Sequence, residues 1–165
     1  KIIKKATFFA SVALLGTILT SPQDSKSCTR TVYTGSEDVV VTGRSMEWKM
    51  QMDTDVWSFP KGMDRSSGNA NSISWKSKYG SVIVSAYDLA TIDGINEKGL
   101  TAGLLYLAES EYPKPTKGKK TLPLGAWAQY VLDNFATVEE AVKERLLVQK
   151  ISLSSCKRVR LRAEL

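Results

Sequence analysis

The chain has 165 residues, with 23 Lys and Arg against 17 Asp and Glu, no His and two Cys. That length suits one domain. Without His, nucleophile–base pairs built on imidazole and the usual His-containing zinc sites are excluded, and two Cys cannot form an all-cysteine zinc site. Separately, no metal or cofactor is expected.

The net charge of +6 invites an acidic partner until it is divided along the chain. Residues 1–27 carry Lys1, Lys4, Lys5 and Lys26 against Asp24, and residues 150–165 carry Lys150, Lys157, Arg158, Arg160 and Arg162 against Glu164. Between them the body holds nearly balanced charge, so a nucleic-acid partner is not expected.

Residues 1–27 have the layout of a secretory signal: a lysine-rich start, a mostly apolar stretch from Phe8 to Leu19, and a short polar segment ending at Ser27. The apolar stretch falls short of the about 20 residues that span a bilayer. Ser25 and Ser27 are small residues at −3 and −1 to Cys28, so cleavage after Ser27 is expected, leaving Cys28 as the N-terminus. Ser25 and Lys26 do not fit a lipoprotein signal. The alternative is an uncut membrane anchor. Cleavage predicts an exported protein, periplasmic or secreted, with no stable membrane anchor.

Val32-Tyr33 and Val39 to Thr42 are β-branched runs flanking a turn-like segment, which predicts a hairpin starting almost at Cys28. Val56 to Phe59 alternates with period two and stops at Pro60-Lys61-Gly62. Asp64 to Asn71 reads as polar loop. Ile73 to Lys76 and Ser81 to Tyr87 are two further predicted strands. Asp93-Gly94 and Glu97-Lys98-Gly99 are expected to bracket a tight turn. That turn leads into Leu100 to Tyr106, an apolar run suited to a strand buried on both faces.

Helices are predicted over Leu122 to Asn134 and Thr137 to Val148. Leu124, Trp127, Ala128, Val131 and Leu132 follow helical spacing in the first. In the second, Val138, Ala141, Val142 and Leu146 form the apolar stripe, and Thr137 with Glu140 makes a capping box. Strands followed by helices indicate an α+β fold with a mainly antiparallel sheet.

A Cys at a mature N-terminus carries nucleophile and base on one residue, because its α-amine can take the thiol proton. It needs a nearby cation to favour the thiolate, a carboxylate to hold the α-ammonium, and donors for the oxyanion. The alternative is a disulfide between Cys28 and Cys156, which an exporting route permits.

Cys28-Thr29-Arg30, Thr42 to Trp48, Trp57 to Met63, Lys78 to Val82, Asp93 to Leu100 and Leu104 to Ser110 resemble, in order and spacing, the choloylglycine hydrolase family. This family contains penicillin V acylases and conjugated bile salt hydrolases, N-terminal-nucleophile hydrolases of linear amide bonds. The resemblance implies an αββα sandwich, of which this chain holds the N-terminal part, and a small-molecule amide substrate of the penicillin V, bile-salt conjugate or N-acyl amide type. Family members are often homo-oligomers.

The resemblance also implies residue roles. Cys28 is the nucleophile and its α-amine the base. Arg44 matches the arginine beside the thiol. Glu47 stands where the family usually has Asp, facing the amine. Its extra methylene matters, since displacement by about 1 Å can cost around 10²-fold in rate. Tyr106 falls where a backbone N–H helps form the oxyanion hole. Asn96, Glu97 and Gly99 belong to a signature turn read as structural. Two alternatives stay open: Arg44 paired with Glu47 on the surface, and Tyr106 and Trp127 as ordinary core aromatics.

The family-like region is expected over residues 28–148, with 149–165 a divergent basic tail produced by truncation or frameshift. That tail alternates basic and apolar residues, as on an edge strand, and reads either as a charged binding patch or as a solvated end. A partial sandwich of this kind is expected to expose an apolar sheet face and to be poorly stable. The second functional expectation is therefore a truncated, inactive fragment of such an amidase.

Overall fold

The computed structural model describes residues 28–37, 39–66, 70–106 and 117–147, with the backbone of Ser152–Ser154. The expected leader, the segment Leu107 to Ser110, Cys156 and the basic tail apart from those three residues lie outside the described residues.

The described residues open with the expected hairpin. Strands β1 (Arg30–Thr34) and β2 (Val40–Arg44) pair antiparallel, in register from Thr34 opposite Val40 to Arg30 opposite Arg44. The Gly35 N–H donates to the Val39 carbonyl at 2.7 Å, and Glu37 takes a positive φ of 61° to close the turn.

The main sheet is antiparallel, in the order β3 (Val56–Phe59), β6 (Ser81–Ala86), β7 (Ala90–Asn96), β8 (Thr101–Gly103). Asp93 and Gly94 were expected in a turn, but both lie inside β7. Gly94 is used there for close approach. A Cβ on it would sit 2.8 Å from Ile83 Cγ2, Leu132 Cδ1 and the Val82 carbonyl. The turn before β7 is made by Tyr87 and Asp88, at φ 54° and 52°, and the one after it by Gly99, at φ 84°.

Two further strand expectations change. The run from Leu100 forms strand only over Thr101–Gly103; one further bond, from Leu104 N to the Ile92 carbonyl at 2.8 Å, follows it, and Leu105 and Tyr106 are exposed. The expected polar loop from Asp64 contains β4 (Asp64–Ser66), which pairs antiparallel with β5 (Ser74–Lys76), Arg65 opposite Trp75. Arg65 is half-buried between exposed Asp64 and Ser66, so a period-two pattern is present, carried by a charged residue.

Helices α1 (Leu124–Asn134) and α2 (Val138–Leu147) form near the predicted limits. The residues before α1 form β9 (Thr121–Pro123), which pairs parallel with β10 (Ser152–Ser154). In α1, Trp127, Ala128, Val131 and Leu132 are buried, as their spacing requires. Thr137 Oγ1 accepts the Glu140 N–H at 3.2 Å, while Glu140 Oε2 accepts from Ala136 N at 2.8 Å, one residue before the usual capping-box partner.

Helix α1 packs on one face of the main sheet, burying Ile83, Leu100, Ala102, Leu122, Val131 and Leu132 with Ala141 of α2. Full burial of Leu122 or Leu132 stabilises by about 1.5–3 kcal/mol each. Val56, Val82 and Ile95 point to the opposite face and are 72%, 46% and 45% exposed. The α+β class and mainly antiparallel pairing are as expected. Among the described residues no helix is long and apolar enough to cross a membrane.

Candidate active site

The ladder of the hairpin continues one residue past β1 and β2, because Ser45 N donates to the Thr29 carbonyl at 3.0 Å. Alternation along this segment sets Cys28, Arg30 and Arg44 on one face. Their half-burial beside exposed Thr29, Gly43 and Ser45 reflects it. Among the described residues Cys28 has no disulfide partner.

Arg44 reaches from β2 to β7. Its Nη1 donates to the Ile92 carbonyl at 2.9 Å and lies 3.4 Å from Asp93 Oδ2, with the arginine side chain 13% exposed. Among the described residues, Arg44 Nε and Nη2 are buried without a hydrogen-bond partner, as is Glu47 Oε2. The ion pair of Arg44 is thus formed with Asp93 and is largely buried. Arg30, opposite Arg44, donates from Nη2 to Thr101 Oγ1 at 2.8 Å.

Between the hairpin and the open face of the sheet lies a cleft of about 850 Å³, walled by Val40, Met46, Met52, Val82 and Ile95 among others. Arg44 lines it, whereas Cys28, Glu47 and Tyr106 do not. Tyr106 is half-exposed and meets Trp48 edge to face at 5.1 Å, and Trp48 Nε1 donates to the Tyr87 hydroxyl at 3.1 Å. Tyr106 is therefore not a core aromatic, while Trp127 is.

Asn96 anchors the turn after β7. Its Nδ2 donates to the carbonyls of Leu132 and Phe135 at 2.9 and 2.8 Å, and its Oδ1 accepts from Lys98 N and Leu100 N. One buried amide thus satisfies the end of α1 and builds the turn. Glu97 bonds Gly80 through both backbone and side chain.

Asp93 was the site neighbour that sequence reasoning missed as such. Its pairing with glycine suggested a turn, and only its side chain's reach toward Arg44 reveals another use.

The sequence pattern of linear amide C–N hydrolases of the choloylglycine hydrolase family matches residues 28–158. The chain belongs to that family. A penicillin V acylase of Pectobacterium atrosepticum is 54% identical over 129 residues, covering 72% of this chain and 34% of that protein. The structure of penicillin V acylase from Agrobacterium tumefaciens superposes with a TM-score of 0.71 at 50% identity, over 78% of this chain and 40% of that one. A mutant conjugated bile acid hydrolase from Clostridium perfringens shares the fold at a TM-score of 0.61 and 23% identity, over 77% of this chain and 39% of that one. The chain thus spans between one third and two fifths of the length of these relatives. The family it belongs to is one of linear amide C–N hydrolases.

Proposed function

We propose that the protein is exported, loses residues 1–27, and cleaves a linear non-peptide amide with Cys28 as N-terminal nucleophile. The substrate class is that of penicillin V, bile-salt conjugates and other N-acyl amides. The α-amine of Cys28 takes the thiol proton, and the thiolate attacks the amide carbonyl carbon. The C–N bond breaks as that proton passes to the departing amine, and water then hydrolyses the thioester. Arg44 favours the thiolate, Glu47 holds the α-ammonium, and the Tyr106 backbone N–H supports the oxyanion.

The observation that carries this reading is the Ser45–Thr29 hydrogen bond of 3.0 Å, which extends the ladder so that Cys28 and Arg44 share a face. Family membership supplies the reaction class. The chain with Cys28 as its first residue is incubated with penicillin V and with an N-acyl amino-acid conjugate. Turnover that disappears in Cys28→Ser is expected. Soluble protein beginning at Cys28 that turns over neither compound favours the second reading, an inactive fragment, for which the exposed Val56, Val82 and Ile95 speak.

A further inference from the structure

We infer that Asp93 is a positioning residue that acts through Arg44, with Gly103 providing the space it occupies; this rests on the role proposed for Arg44. Three observations carry it.

Arg44 and Asp93 belong to different sheets, so their contact is a bridge from the hairpin to the main sheet rather than a neighbour pair within one ladder. Arg44 Nη1 is held by both the Ile92 carbonyl and Asp93 Oδ2, which fixes the guanidinium by one corner. Its Nε and Nη2 stay buried and have no partner among the described residues. An arginine serving only to dock the hairpin would gain by pairing those nitrogens too. A guanidinium held at one corner keeps two donors for another group.

Asp93 lies opposite Gly103 in the β7–β8 register. A Cβ at Gly103 would come within 3.1 Å of Asp93 Oδ1 and 3.3 Å of Cγ and Oδ2. The carboxylate therefore lies in space that any side chain on Gly103 would contest. Its Oδ1 accepts the Gly94 N–H at 2.8 Å, which leaves Oδ2 for Arg44. Both carboxylate oxygens are thus oriented.

Arg30 and Arg44 are directly opposite in the hairpin, where like charges repel. Arg30 bonds the neutral Thr101 hydroxyl, so among the described residues the Asp93 carboxylate is the counter-charge in contact with this arginine pair. Removing it leaves Arg44 facing Arg30 without compensation, and the guanidinium moves away from its present direction.

The test reads Cys28 directly, in a Cys156→Ser background so that a single thiol reports. The second-order rate of alkylation by iodoacetamide is measured for the parent chain, Arg44→Gln, Asp93→Asn, Gly103→Ala and the Arg44→Gln/Asp93→Asn double variant. Unfolding midpoints are followed in parallel. Asp93→Asn is expected to slow alkylation about tenfold, within the range that ångström-scale misplacement produces. Gly103→Ala, which keeps every charge, is expected to fall between, and it carries the test if Asp93→Asn does not fold. In the Arg44→Gln background, Asp93→Asn should add no further loss. Parent-like alkylation of folded Asp93→Asn or, failing that, of folded Gly103→Ala, alongside a slowed Arg44→Gln, overturns the inference and leaves the proposed function standing. Independent, multiplying losses in the double variant also overturn it. If Arg44→Gln itself reacts like the parent, the proposed role of Arg44 fails, and the positioning role of Asp93 fails with it.

Discussion

The indole N–H of Trp75 in β5 donates at 2.7 Å to Asp133 Oδ2, the side chain of a residue in α1 that is wholly buried. The same oxygen lies 3.3 Å from Arg65 Nε, and Oδ1 accepts from Gln129 Nε2 at 2.8 Å. The Asp133 backbone carbonyl takes Lys78 N and Tyr79 N. One residue therefore fastens the β4–β5 ribbon and the approach to β6 onto the helix.

Asp133→Ala is expected to cost about 3–5 kcal/mol, because it strands a buried guanidinium as well as an indole N–H. Asp133→Asn keeps two acceptor lone pairs and should cost about 1–3 kcal/mol. Urea unfolding followed by Trp fluorescence measures both. Equal midpoints for Ala and parent would mean that the network contributes nothing.

Gly94→Ala is expected to destabilise by about 1–3 kcal/mol through overpacking. The new methyl meets Ile83, Leu132 and the Val82 carbonyl at 2.8 Å, and the carbonyl is part of the β6–β7 ladder and cannot turn aside. Pairing it with Leu132→Ala opens room on one side only, so a partial recovery relative to the sum of the single changes is expected. Thermal unfolding of the three variants decides it.

Tyr130 packs edge to face with Trp75 at 5.3 Å and with Phe135 at 6.0 Å. Burial raises its hydroxyl above the ordinary tyrosine value, and the Glu144 carboxylate adds to the rise. A raised folded-state value means that the stability it contributes is complete below the unfolded value, about 10, and is lost as pH rises through the folded one. The unfolding midpoint should fall above that pH, and less steeply in Tyr130→Phe. An identical alkaline decline in that variant would remove Tyr130 as its source.

The open sheet face also makes a measurable claim. Val82 and Ile95 are cross-strand partners on it. Dye binding of the kind that reports exposed apolar surface should therefore be strong, and Val82→Thr with Ile95→Thr should reduce it. The double change should alter stability by only about 0.5 kcal/mol per site. Unchanged dye binding would mean that the face is covered in solution.

The sequence made the hairpin, β3, β6 and both helices legible, because each rests on a local period: alternation in Val56–Phe59, helical spacing from Leu124 to Leu132. β7 was not, since Asp93-Gly94 has turn composition, and what selects glycine there is the approach of Leu132, which comes from α1 far along the chain. β4 was hidden because its inward residue is Arg65, whose guanidinium carbon lies over the Phe59 ring, 4.2 Å from its centroid. Of the candidate site, a hairpin starting next to Cys28 followed from pattern, whereas the expected second run stopped at Thr42 and β2 extends to Arg44. The partner of Arg44 did not follow from pattern, because a contact between two sheets leaves no periodic trace.

The hairpin is a two-stranded ribbon of its own, and such a ribbon is marginal in isolation. Among the described residues, its side-chain hydrogen bonds to the main sheet come from Arg30 and Arg44. Local opening should therefore release it well below the free energy that unfolds β6 and β7. In native-state hydrogen exchange, the paired amides of β1 and β2 should trade protons early, while those of Ile83 and Ile92 persist. Cys28 thus rides on a flap hinged by two arginines, and anything that weakens them loosens the thiol's surroundings before the core registers the change.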